Sequence, residues 1–246
     1  MSQTLLYVSM TGLGATMDSM TATANNLANG STTAYKAQQP VFRAQALIGQ
    51  GRKDRADVAA AEQSANFSQG PVQRTGGNLD VAVKGPGWIA VQAADGTSAL
   101  TRNGALAISA TGMLETSNGQ PVLGQNGVPI TLPPLQSVSI GEDGTVSGVP
   151  MGQDPSSVTA LNRIMLANPP VTSLQRRADG LFQSSDTPLA ADGNVQLQVG
   201  ALEGSNTDPV GLMVDMIQNT RMFQMQTELM HTESNLQGQN TPLSIT

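Results

Sequence analysis

Apolar positions recur with a helical period along the first thirty residues. Leu6, Met10, Leu13, Met17, Met20, Ala24 and Leu27 step 4, 3, 4, 3, 4, 3, the a/d spacing of a helix lying along another helix. The stripe runs into Asn25-Asn26-Leu27-Ala28-Asn29-Gly30-Ser31-Thr32-Thr33. Asn, Gly, Ser and Thr favour caps and turns there, so the helix is expected to stop. The same step returns at the other end, where Met213, Met216, Thr220, Phe223, Thr227 and Met230 step 3, 4, 3, 4, 3. Ser205-Asn206-Thr207-Asp208-Pro209 precedes them, a capping run with a proline suited to a first helical turn.

Between the ends, from Gly76 to about Gly200, the pattern changes to short strands. Leu79, Val81 and Val83 alternate, Gly85-Pro86-Gly87 breaks the run, and Trp88-Ile89-Ala90-Val91 follows. Further runs are Leu106–Ile108, Pro121–Leu123, Val128–Leu132 and Val138–Ile140, with two more at 158–166 and 195–202. Thr111-Gly112, Asn118-Gly119, Asn126-Gly127 and Asp143-Gly144 separate several of them, the turn chemistry of antiparallel hairpins. Residues 37–75 read as a connector, with a mixed-sign cluster (Arg52, Lys53, Asp54, Arg55, Asp57) that suits a solvated loop.

The pattern predicts an α+β fold. Long N- and C-terminal helices pair as a coiled-coil-like stalk, and a mainly antiparallel β domain is inserted between them. The expected divisions are 1–36 (helix), 37–75 (connector), 76–202 (β domain) and 203–246 (helix). Two such helices bury one seam only. Leu5, Val8, Leu212, Ile217, Met222 and Met225 would stay exposed, more apolar surface than a monomer comfortably shows.

Composition narrows the function. Charged residues are 12% and aromatics 3%, against about a quarter charged in average proteins. A net charge of −6 opposes nucleic-acid binding, which needs a basic face. There is no Cys, so disulfides, thiolate catalysis and Cys metal sites are excluded. Lys36 is the first basic side chain, so no cleavable signal peptide is expected, and no apolar run is long enough to span a membrane. His231 is the one histidine, and a metal or catalytic site needs several convergent groups. Asp95-Gly96-Thr97 and Asp143-Gly144-Thr145 read as hairpin turns rather than catalytic acids. Gly12-Leu13-Gly14 lacks the preceding strand and the third glycine of a dinucleotide loop. No enzyme, no cofactor and no metal site are expected. Eight of the 12 methionines sit on the terminal helices, where an unbranched, polarizable side chain can repack against non-equivalent neighbours.

Asn26-Leu27-Ala28-Asn29, followed by Thr32, Tyr35 and Lys36, resembles the N-terminal signature of the flagellar rod and hook axial proteins. Phe67, Gln69, Gly70, Thr75, Gly76, Leu79 and Asp80 resemble the start of that family's β domain. Thr101-Arg102-Asn103-Gly104, Pro121-Val122-Leu123-Gly124 and Val138-Ser139-Ile140 look like its central motifs. Leu202-Glu203, Ser205-Asn206, Val210, Met213-Val214, Met216-Ile217, Arg221 and Phe223 resemble its C-terminal helix. Within the family, the short β region, Asn168-Pro169-Pro170 with Gly180-Leu181-Phe182, and Arg221-Met222-Phe223-Gln224-Met225-Gln226 resemble the proximal-rod subunit. The distal-rod subunit is the alternative. Ala34 departs from the pattern, standing where the family has Gly, and Thr207 replaces an apolar residue.

The resemblance implies a structural subunit of the flagellar basal body that assembles helically and transmits torque from motor to hook. It implies export through the flagellar type III apparatus and a periplasmic rod location. Partners would be other copies of the chain and neighbouring rod proteins, with no nucleic acid, small-molecule substrate or membrane span. The expected assembly interface is Leu6, Met10, Leu13, Met17, Met20 and Leu27 with Met213, Met216, Ile217, Phe223 and Met230; Asn26, Asn29, Thr32, Tyr35 and Lys36 form the helix-end signature. A secreted carbohydrate-binding β protein or enzyme is the reading from another class. It would need clustered acids or aromatics, and Trp88 is the one tryptophan.

Overall fold

Two stripes of identical step compete on the N-terminal helix, and the structure buries the less apolar one. The computed structural model describes residues 2–46, 56–154, 156–185 and 189–240, with backbone alone at 2–9, 42–46, 56–63, 233–234 and 236–240. Helix α1 runs Ser2–Ala28, and helix α2 runs Pro209–Asn240. On α1, Gly12, Thr16, Ser19, Thr23 and Asn26 also step 4, 3, 4, 3, and Thr16, Thr23 and Asn26 are buried. The Met/Leu stripe is not: Met10 is 56% exposed and Met17 53%.

The expected coiled-coil-like stalk is therefore corrected. Among the described residues there is one helix at each end, and their contacts include Gly12, Thr16 and Gln226, with no continuous buried Met/Leu seam. A Cβ added at Gly12 would lie 3.6 Å from Gln226 Nε2, and Thr16 Oγ1 lies 3.1 Å from Gln226 Oε1. No described side chain of α2 is buried. The physical reason lies in the threonines. Thr16 Oγ1 donates to Gly12 O at 3.0 Å and Thr23 Oγ1 to Ser19 O at 2.8 Å. With its hydroxyl so occupied, a threonine presents little more than a methyl group and tolerates burial. Small side chains on that face allow close approach, and the bulkier methionines turn outward.

Strands β1 (Gln38–Ala46) and β2 (Ala56–Ala65) pair antiparallel within the 37–75 stretch. Of the mixed-charge cluster, Arg52, Lys53, Asp54 and Arg55 lie outside the described residues, and the Asp57 backbone belongs to β2.

The described residues cluster as two compact units. One is drawn from within Met1–Gly30, Gln38–Asn66 and Thr207–Thr246, the other from Ser31–Ala37 and Phe67–Asn206. The second unit is antiparallel β throughout its ladders. A five-stranded sheet orders Leu166–Ala167, Trp88–Gln92, Ser98–Thr101, Phe182–Ser184 and Leu174–Arg176. A three-stranded sheet orders Thr159–Arg163, Thr145–Pro150 and Leu135–Ile140. Two-stranded ribbons pair Gln196–Val199 with Val81–Lys84, Ala201–Glu203 with Val72–Arg74, and Leu106–Ile108 with Leu114–Thr116. Their inward positions supply one core that includes Val81, Val83, Ile89, Val91, Leu114, Ile130, Ile164 and Leu197.

The Asp-Gly turns are structural. Thr97 donates to Asp95 Oδ1 from its backbone N at 3.0 Å and from Oγ1 at 2.6 Å. Thr145 donates to both Asp143 oxygens, from N to Oδ1 at 3.1 Å and from Oγ1 to Oδ2 at 2.7 Å. Gly96 and Gly144 take φ of +81° and +84°, which such tight hairpin turns require and a Cβ would oppose.

Candidate functional site

Two places gather the residues that the sequence singles out: the helix faces of the first unit, and a buried polar junction in the second. Each is built from its own unit.

In the first unit the expected interface residues divide by exposure. Met10, Met17, Met213 and Ile217 are exposed, and Leu13, Met20, Leu27, Met216, Phe223 and Met230 are half-buried. The Leu6 side chain falls outside the described residues. Val210, Val214, Met222, Met225 and Leu229 are also exposed on α2, Leu229 at 65%. Asn26 braces the helix end against the hairpin in both directions. Its Nδ2 donates to Gln38 O at 2.8 Å, and its Oδ1 accepts from Gln38 N at 2.7 Å. Asn29 closes the last turn, donating to Asn25 O from N at 3.1 Å and from Nδ2 at 2.8 Å. This satisfies a carbonyl the helix would otherwise leave open.

In the second unit, Thr32 O accepts from Tyr35 N at 3.3 Å, turning the chain so that Lys36 points inward. The Lys36 and Glu203 side chains are 0% exposed, with Nζ 2.6 Å from Oε1. Lys36 Nζ also donates to Ser68 O at 2.7 Å. The other carboxylate oxygen, Oε2, accepts from Arg102 Nε at 2.8 Å, and Gly70 N donates to Oε1 at 3.1 Å. Arg102 completes its donors on the carbonyls of Gly87, Val83 and Gly85 at 3.1, 3.0 and 2.9 Å. Burial holds the Lys36 ammonium below the usual lysine range, opposed by its hydrogen bond to Glu203.

Aromatic rings adjoin this triad. Trp88 and Phe182 centroids are 4.8 Å apart, and Phe67 lies 5.9 Å from Trp88 and 5.4 Å from Phe182. Arg176 is placed 5.0 Å from the Phe182 ring and 5.1 Å from the Tyr35 ring, a cation–π arrangement. It donates through Nη2 to Lys36 O. Burial raises the Tyr35 phenol, offset in part by Arg176. Thus Trp88, Phe67, Phe182 and Tyr35, four of the chain's seven rings, hold one junction.

Arg102, Glu203 and Arg176 are absent from the expected site residues, although a signal for Glu203 exists. In Ala201–Glu203 the first and third residues face inward, so period-two reading puts a carboxylate in the core. A buried carboxylate demands a cation. Among the described residues no group of three His, Asp or Glu could hold a metal, no helix is long and apolar enough to cross a membrane, and His231 is exposed on α2.

The comparisons with known proteins agree with the geometry. Residues 82–148 match the profile described as Flagellar hook protein FlgE/F/G D1 domain. Residues 198–239 match Flagellar basal body rod FlgEFG protein C-terminal. The chain is 37% identical over 245 residues to the flagellar basal-body rod protein FlgF of Salmonella typhimurium, covering 97% of each. It is 35% identical to FlgF of Escherichia coli, again with 97% of each covered. The rod protein FlgG of Buchnera aphidicola is 30% identical, with 94% of this chain and 96% of the relative aligned. On this similarity, which covers both units and is greater to these two FlgF proteins than to that FlgG, the chain belongs to the flagellar basal-body rod protein family.

Proposed function

We propose that this chain is a structural subunit of the proximal part of the flagellar basal-body rod, joining its neighbours through the exposed faces of α1 and α2 and transmitting torque from motor to hook. The observation that carries this is the row of exposed apolar side chains on α2: Val210, Met213, Val214, Ile217, Met222, Met225 and Leu229. So much apolar surface on one helix calls for protein partners. Identity of 37% and 35% to FlgF relatives, against 30% to an FlgG relative, favours the proximal over the distal position. Partners are other copies of the chain and adjoining rod proteins. Passage through the flagellar type III apparatus to a periplasmic rod follows from the same reading, as does the lack of catalytic chemistry.

Ile217→Asp and Met17→Asp test the proposal, because each places a charge on an exposed methionine- or isoleucine-bearing face without touching the β core. The expected result is loss of swimming and absence of the variant from isolated basal bodies, with unchanged Trp88 fluorescence in the purified protein. Normal incorporation of both variants would refute the assignment of these faces to assembly.

A further inference from the structure

Ser31–Ala37 belongs to the β unit although the chain leaves that unit at Gln38 and returns only at Phe67. It is held from several sides. Ala34 N donates to Glu203 O at 2.8 Å, Asn206 N to Tyr35 O at 3.2 Å, and Ala37 N to Asn206 Oδ1 at 2.7 Å. Lys36 and Tyr35 add the ion pair and the ring contact described above.

Three features of the docked state oppose these contacts. Ala34 sits at φ +57°, a left-handed conformation that penalises any side chain. Lys36 brings a second cation to a carboxylate already paired with Arg102, leaving the closed site with excess positive charge. Among the described residues Arg176 meets no carboxylate, and its Nε is enclosed without a hydrogen bond, a cost that ring contact offsets only in part.

Release leaves the Glu203 carboxylate paired. Glu203 keeps Arg102 Nε and Gly70 N, and Arg102 keeps its three carbonyls. Ser68 O keeps Asn206 Nδ2, 2.9 Å away. A neutral buried pair remains and Lys36 returns to water, so the usual penalty for breaking a buried ion pair, a stranded charge, does not arise. We propose that Ser31–Ala37 is a releasable latch, which undocks from the folded β unit and redocks without that unit unfolding.

Native-state hydrogen exchange on the full chain, read by NMR at increasing urea below the unfolding transition, tests this. The Ala34 and Ala37 amides should exchange at least about a hundredfold faster than those of Leu114, Val122 and Ile130, with almost no urea dependence, as local openings do. Equal rates with equal urea slopes would overturn the latch, because the segment would then open only with the whole unit. Lys36→Ser supplies a second readout. It should abolish protection at Ala34 and Ala37 while Leu114, Val122 and Ile130 stay protected. Collapse of core protection in that variant would equally overturn the proposal.

Discussion

Glu203 pairs with two cations from one enclosed position, so its removal and that of Lys36 have unequal consequences. Glu203→Gln leaves Lys36 and Arg102, 0% and 4% exposed, without a counter-charge, and the expected loss is about 3–5 kcal/mol. Lys36→Met leaves Arg102 and Glu203 balanced and should cost clearly less. Urea unfolding followed by Trp88 fluorescence ranks the two, and the reverse order would show that Arg102 does not sustain the carboxylate alone. Ala34 offers the opposite sign. Its φ of +57° suits glycine, so Ala34→Gly should raise stability by about 1 kcal/mol, the left-handed penalty less the entropy glycine adds to the unfolded chain. At this scale the sequence was partly legible. The missing glycine before Tyr35 was visible, and the strained backbone is where it pointed. The charge triad was not, because its members are far apart in the chain and only the fold brings them together.

At the scale of the element, periodicity located both helices and overstated the apolar seam between them. A heptad stripe of Met and Leu is the stronger hydrophobic signal, yet Thr16, Thr23 and Asn26 are buried while Met10 and Met17 are exposed. Threonines that bond back to the preceding turn lose much of their polar character, and a residue-by-residue hydropathy scale does not register that. The β region was more readable, since Leu106–Ile108 and the Asp-Gly turns depend on neighbouring residues alone. The segments Thr145–Pro150 and Leu174–Arg176, with Pro, Gly and charged residues in them, gave no alternating run. The two stripes of α1 make opposite predictions for bulk. Thr16→Trp should push α2 away and speed hydrogen exchange across Phe223–Leu229, because Thr16 reaches Gln226 at 3.1 Å. Met17→Trp, on the exposed stripe, should leave those amides unchanged. Equal effects would restore the apolar stripe as the closed face.

For the whole molecule, scarcity of charge decides where pH acts. Only 18 acidic side chains are present, and three of those on the β unit have depressed pKa values. Asp95 is held far below the usual carboxylate range, first by its hydrogen bond from Arg177 and then by those from Thr97. Asp143 and Asp154 are lowered by hydrogen bonds from Thr145 and Ser156. A carboxylate with a folded pKa below its unfolded value of about 3.9 binds fewer protons in the native state. The stability it confers is complete above that value and disappears as pH falls toward the folded one. The thermal midpoint should therefore be nearly level through weakly acidic pH and fall steadily below about pH 4. Asp95 also fixes two turns together, since its Oδ2 lies 2.8 Å from Arg177 Nη2, whose Nε reaches Asp179 at 3.2 Å. Asp95→Asn should lower the midpoint at neutral pH and make the acid decline shallower, because one depressed carboxylate no longer titrates. An unchanged slope in that variant would place the acid sensitivity on other groups.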